Sequence, residues 1–172
     1  TVTRRFRCQD PDGTLIEVAD GNALRLAHVT INTGDLARAR TFYNDVLGLP
    51  SAGPPDPVFH QGERIGTAPA MFSSTMIADP RGPEHFAVQL VRWSRPRSLG
   101  APPPFANQLG LYRLAFIVDD VAAAHAHLTA HGARPVSRPL DLDVGEGLPR
   151  LKVFLCPDPD GTMLEFIADP VT

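Results

Sequence analysis

Short runs in which apolar and polar side chains alternate are broken along this chain by turns rich in Pro, Asp and Gly, a pattern that predicts strands joined by tight connections. The run Leu26-Ala-His28-Val-Thr-Ile-Asn32 turns at Thr33-Gly34 and leads into a predicted helix from Asp35 to Leu47, with Asp35 as N-cap and Gly48 just past its end. The same order returns when Tyr112 to Val118 alternates, Asp120 caps a helix reaching His131, and Gly132 follows. His28 to Asp35 and Arg113 to Asp120 both span seven residues, so His28 and Arg113 hold equivalent positions. Further strands are predicted at Pro57–His60, Ala70–Ala78 and Phe86–Trp93, and again at Arg134–Leu140, Arg150–Leu155 and Thr162–Ala168. The organisation is βαβββ twice, over residues 24–93 and 111–169, joined by a linker at 94–110 whose first part is Pro-rich.

A second repeat crosses this one. Cys8-Gln-Asp-Pro-Asp-Gly-Thr-Leu-Ile-Glu17-Val near the start matches Cys156-Pro-Asp-Pro-Asp-Gly-Thr-Met-Leu-Glu165-Phe near the end, and Asp79-Pro-Arg-Gly82 before Phe86–Trp93 is a looser copy. Each is a tight turn feeding a strand. Aligning the strands puts Glu17, Gln89 and Glu165 at one position. Residues 1–20 therefore read as a hairpin copying the last two strands of a module. Leu15, Ile16 and Val18 need cover, because a lone hairpin is marginal in water. The expectation is an ordered hairpin packed on a module sheet, either of this chain or of a neighbouring subunit, or else the trailing end of a preceding module in a longer protein.

Paired βαβββ modules with a histidine in the first strand, a capped helix ending Phe42-Tyr-Asn-Asp-Val-Leu-Gly-Leu49, and a closing Asp-Pro-Asp-Gly-x-x-x-Glu strand resemble the vicinal oxygen chelate superfamily. Its members include glyoxalase I, extradiol dioxygenases and bleomycin-resistance proteins. The resemblance implies an α+β fold, in which the two modules curl into a half-open mixed β barrel with flanking helices, here with an extra N-terminal hairpin. It also implies up to four metal ligands on the first and last strands of the modules, which fall here on His28, Gln89, Arg113 and Glu165.

Composition narrows the setting. The 172 residues carry 16 basic and 19 acidic side chains, a net charge of -3 with no basic run, which argues against a nucleic-acid partner. No apolar stretch approaches the roughly 18 residues of a membrane span, and no signal-peptide pattern is visible. Two cysteines, Cys8 and Cys156, fit reduced structural thiols and a cytoplasmic location. The 18 prolines and 14 glycines predict short elements and many loops.

Among the candidate residues, His28 is a ligand type suited to Zn, Fe, Mn or Ni, Glu165 is a carboxylate suited to a metal or to proton transfer, and Gln89 is a neutral oxygen donor. Arg113 is the departure, since a guanidinium has no lone pair to offer a metal. A divalent ion about 4 Å from it would be repelled by about twice the 4 kcal/mol of two unit charges at an effective dielectric of 20. Two arrangements stay open: a metal held by His28, Gln89 and Glu165, or an Arg113–Glu165 pair that replaces the metal and faces substrate oxygens. Phe72, Met76 and Trp93 are expected to line the substrate cavity. His60 and His85 are further candidates, whereas His125, His127 and His131 read as an exposed helix face. The functional expectation is a lyase, isomerase or dioxygenase acting on a small oxygenated organic substrate, in a protein that forms a homodimer. The alternatives are a metal-free drug-sequestering protein and a non-catalytic module pair of a longer protein.

Overall fold

A computed structural model describes residues 5–20, 25–53, 56–60, 70–102, 105–146 and 150–168. Three sheets form. Strands β1 (Arg5–Gln9) and β2 (Leu15–Ala19) make an antiparallel hairpin. The first module supplies β3 (Val29–Asn32), β4 (Asp56–His60), β5 (Ala70–Ala78) and β6 (Ala87–Arg95), in the order β3-β6-β5-β4. The second supplies β7 (Arg113–Val118), β8 (Leu140–Leu142), β9 (Leu151–Pro157) and β10 (Met163–Ala168), in the matching order β7-β10-β9-β8. In both sheets the first strand runs parallel to the last and the other neighbours are antiparallel. The fold is therefore α+β with mixed sheets and no closed barrel.

The helices begin where their caps predict. Asp35 accepts from the backbone N–H groups of Ala37 and Arg38, opening α1 (Leu36–Arg40), and Asp120 accepts from those of Ala122 and Ala123, opening α2 (Val121–Ala130). Gly48 and Gly132, just past the helical segments, take positive φ of 73° and 81°. The first helix departs from expectation by widening into a π-helical segment over Thr41–Val46, whose Leu47 N–H donates to the Phe42 carbonyl. There the adjacent Phe42 and Tyr43 are both buried, and the Tyr43 hydroxyl donates to Asp158. Two strands are shorter than predicted. β3 starts at Val29, leaving His28 just outside it, and the segment expected at Arg134–Leu140 pairs only at Leu140–Leu142. Pro135 and Pro139 lack the N–H that a ladder needs, and between them only the Val136 N–H, to the Leu155 carbonyl, and the Ser137 hydroxyl, accepting from the Leu155 N–H, reach β9.

One continuous core joins the modules. Ile31, Ile77, Val88 and Leu90 of the first sheet and Leu114, Phe154, Cys156, Leu164 and Phe166 of the second are buried with Phe42, Tyr43, Val121 and Leu128 from the helical segments. Phe154 stacks on Phe166 at 4.8 Å, and Phe86 meets Phe116 across the modules at 6.1 Å. Each sheet thus packs one face into the core; on the other face of the second sheet Arg113, Ala115 and Ile117 of β7 are exposed while Glu165 and Val153 stay buried.

The repeated Asp-Pro-x-Gly turn has a physical cause. Asp10 accepts from the N–H groups of Asp12 and Thr14, and Asp158 does the same for Asp160 and Thr162. Only the last copy docks. Asp160 accepts from the Thr33 hydroxyl, the Gly34 N–H at 3.1 Å and the Arg38 guanidinium at 2.9 Å, holding the second module to the strand–helix turn of the first. At the equivalent place Arg81 folds back on Asp79, holding that exposed carboxyl below the usual carboxylate range.

The N-terminal hairpin keeps the register of its copy. Phe6 faces Val18 and Cys8 faces Ile16, as Phe154 faces Phe166 and Cys156 faces Leu164. Among the described residues of this chain it is not packed on a module sheet. Phe6 is 61 % exposed where Phe154 is fully buried, and Leu15 and Ile16 are also exposed, so the hairpin stands as a separate two-stranded sheet. The strand and helix that cover β9 and β10, namely β7 and α2, have no counterpart over it among the described residues.

Candidate functional site

Strand register places the four predicted positions in equivalent pairs. In the second sheet Ala115 lies opposite Glu165, and Arg113 is two residues earlier on the same strand face. In the first, Thr30 lies opposite Gln89, and His28 is two residues earlier. The equivalence inferred from the seven-residue spacing therefore holds in three dimensions.

The chemistry of the two pairs differs. Arg113 Nε donates to Glu165 Oε2 at 2.8 Å. The glutamate side chain is 9 % exposed and the arginine 45 %, so an inward carboxylate is capped by a cation that still meets solvent. In the first module Gln89 instead accepts from the Thr30 hydroxyl at 3.3 Å, and His28 makes no hydrogen bond to a described residue. Phe72 and Trp93 face each other across β5 and β6 with rings 5.0 Å apart, and the Trp93 indole donates to Asn32 at 2.8 Å. Strand alternation puts Trp93 on the Gln89 face of β6.

A divalent metal does not fit these residues. The Glu165 carboxylate already pairs with the Arg113 guanidinium through Oε2, and that fixed cation opposes an ion at the same place. Among the described residues no three His, Cys, Asp or Glu side chains gather into a ligand set. Glu17, at the same repeat position in the hairpin, is likewise paired with an arginine, Arg7.

The other histidines are placed by packing. His125 stands edge-on to Phe154, His127 Nε2 lies 2.9 Å from the Val46 carbonyl in the other module, and His131 Nδ1 lies 2.8 Å from the His127 carbonyl. This face, expected to be merely solvated, makes an inter-module contact. His85 is exposed beside Glu84, and the His60 side chain lies outside the described residues. A cavity of about 270 Å³ opens at the start of β6, lined by Arg25, Ala27, Met76, Pro83, Glu84 and Ala87, of which Met76, opposite Gln89 on the neighbouring strand, is the one expected to line a cavity. Sequence reasoning missed Tyr43, Asp158 and Asp160. The buried Asp158 has its carboxyl pushed up by desolvation, and the Tyr43 hydroxyl is pushed far above its usual range, first by burial and then by the Asp158 charge. The one available signal was Asp160 standing where the looser copy has Arg81.

The family model described as Glyoxalase/Bleomycin resistance protein/Dioxygenase superfamily matches residues 25–166. Among solved structures, a glyoxalase family protein from Bacillus cereus is similar over 88 % of this chain and 97 % of its own, with a TM-score of 0.73 and 23 % identity. A glyoxalase family protein from Enterococcus faecalis is similar over 83 % of this chain and 96 % of its own, at TM-score 0.61 and 23 % identity. A glyoxalase I mutant from Zea mays is similar over 84 % of this chain but 45 % of its own, with TM-score 0.61 and 23 % identity. No curated protein matches.

Proposed function

The chain belongs to the glyoxalase/bleomycin resistance protein/dioxygenase superfamily, and within it we propose that this protein binds a small oxygenated organic substrate on the open faces of its sheets, with a guanidinium where a metal would otherwise stand. The observation that carries the reading is the 2.8 Å bond between Arg113 and Glu165. Glu165 holds and orients Arg113, whose fixed positive charge meets negative charge developing on a substrate oxygen. The reaction class this supports is proton transfer beside a carbonyl, as in an isomerase or lyase. His28, whose imidazole is uncommitted among the described residues, is the proton carrier, and Trp93 and Phe72 form an apolar wall.

A second reading is a sequestering protein that binds a drug-like molecule without reaction. The buried, already paired state of Glu165 favours it, because such a carboxylate is poorly placed to act as a base. The test is incubation with a panel of small hydroxyketones and keto acids in D₂O, following loss of the α-C–H signals by proton NMR. Arg113-dependent exchange supports the enzyme. Saturable binding without exchange supports sequestration, and neither binding nor exchange overturns both.

A further inference from the structure

The chemistry of the ligand can be taken a step further, on the premise of the preceding reading that the open face of the second sheet is where it binds. Along that face β7 presents Arg113, Ala115 and Ile117, and β10 presents Glu165 and Ile167 beside them. Ile167 lies opposite Ile117 on one side and Val153 on the other, and Glu165 lies opposite Leu155. Val153 is buried and Ile167 half-buried, whereas Ile117 is 73 % exposed in mid-strand, so the apolar surface open to solvent beside the charged pair centres on Ile117 with Ile167 at its edge.

Arg113 itself has capacity to spare. Its Nε is the group bonded to Glu165, and its Nη groups donate to no described residue. The inner edge of the guanidinium is thus neutralised by a buried carboxylate, and the outer edge offers two parallel N–H donors to the open face. That fork matches the two oxygens of a carboxylate. The Tyr112 ring, centred 5.9 Å from the guanidinium carbon, limits how far the group can swing. Because Glu165 offsets part of the arginine charge, one further negative charge is accommodated here better than the two of a phosphate monoester. The equivalent face of the first sheet offers no such group, since Thr30 bonds Gln89 and Trp93 bonds Asn32.

We propose that the open face of the second sheet binds an organic monocarboxylic acid, its carboxylate on the Nη edge of Arg113 and its apolar body over Ile117 and Ile167. Octanoate and 1-octanol, alike in chain and different in charge, are the probes, titrated into the ¹⁵N-labelled full chain with backbone amides followed by NMR. Octanoate should shift the amides of β7 and β10 and bind at least tenfold more tightly than octanol, and Arg113→Gln should remove that difference. Because this variant leaves Glu165 buried without its cation, Arg113→Gln/Glu165→Gln is measured beside it and should give the same loss. Equal binding of the two probes at β7 and β10, or a preference for octanoate that survives both variants, overturns the carboxylate assignment while leaving the open face as the ligand site. Shifts confined to other parts of the chain overturn the open-face reading itself.

Discussion

The two modules place side chains at the same two positions and fill them with different chemistry. In the second, Arg113 and Glu165 form a partly buried ion pair. In the first, His28 and Gln89 sit at the corresponding places, the histidine uncommitted among the described residues and the glutamine held only by a threonine hydroxyl. One backbone register thus supports a guanidinium–carboxylate pair on one side and an imidazole and an amide on the other. The difference is a matter of side chains alone, because the pairing of β3 with β6 repeats that of β7 with β10. One fold can serve unrelated chemistries in this way.

The comparison can be broken most sharply at Arg113. Arg113→Ala leaves Glu165 buried without its cation and should destabilise the fold by about 2–3 kcal/mol, read by chemical denaturation. A loss below about 0.5 kcal/mol, the scale of an ordinary surface change, would show that the pair carries no structural load. Glu165→Gln keeps an acceptor for Arg113 Nε while removing one charge from a half-exposed pair, so about 1 kcal/mol is expected. On the first module Thr30→Val removes only the exposed bond to Gln89 and should stay within about 0.5 kcal/mol.

A second contrast sharpens the first, since the hairpin copies β9 and β10 without their cover. Cys156 is fully buried, and desolvation pushes its thiol up to about 11, whereas Cys8 is exposed. At neutral pH a thiol-reactive dye should label one site in the native protein and two after unfolding. Two native sites would contradict the burial. The unfolded thiol ionises near 9.0 and the folded one near 11, so the contribution from Cys156 is complete below pH 9 and is lost as pH rises through that interval. Removing residues 1–20 takes away a hairpin whose Phe6, Leu15 and Ile16 are already exposed, so the melting temperature should move by less than about 4 °C, the shift that roughly 1 kcal/mol gives in a domain this size.

Much of this was legible in the sequence because it rests on local rules. Asp35 and Asp120 cap their helices as their places before the helical runs predict, and the Asp-Pro-Asp-Gly repeats close turns through the first aspartate in each case. Equal spacing from cap to strand was enough to pair His28 with Arg113. Long-range geometry was not legible. Nothing near Tyr43 announces a hydrogen bond to Asp158, and the π-helical widening that buries Phe42 and Tyr43 together answers to tertiary packing. The exposure of the hairpin was missed for a related reason: alternation marks a face that can be buried, and what covers it is decided elsewhere in the chain. The shortened β8 could have been anticipated from Pro135 and Pro139.

The central claim is that a guanidinium occupies the second module where a metal ligand would be. Calorimetric titration of Zn²⁺ or Mn²⁺ into the wild-type chain and into Arg113→His tests it most directly, because the substitution removes the opposing charge and adds an imidazole beside Glu165. The account predicts affinity at least tenfold higher in the variant. Equal affinities would mean that Arg113 stands outside the site and that the reading built on it is wrong.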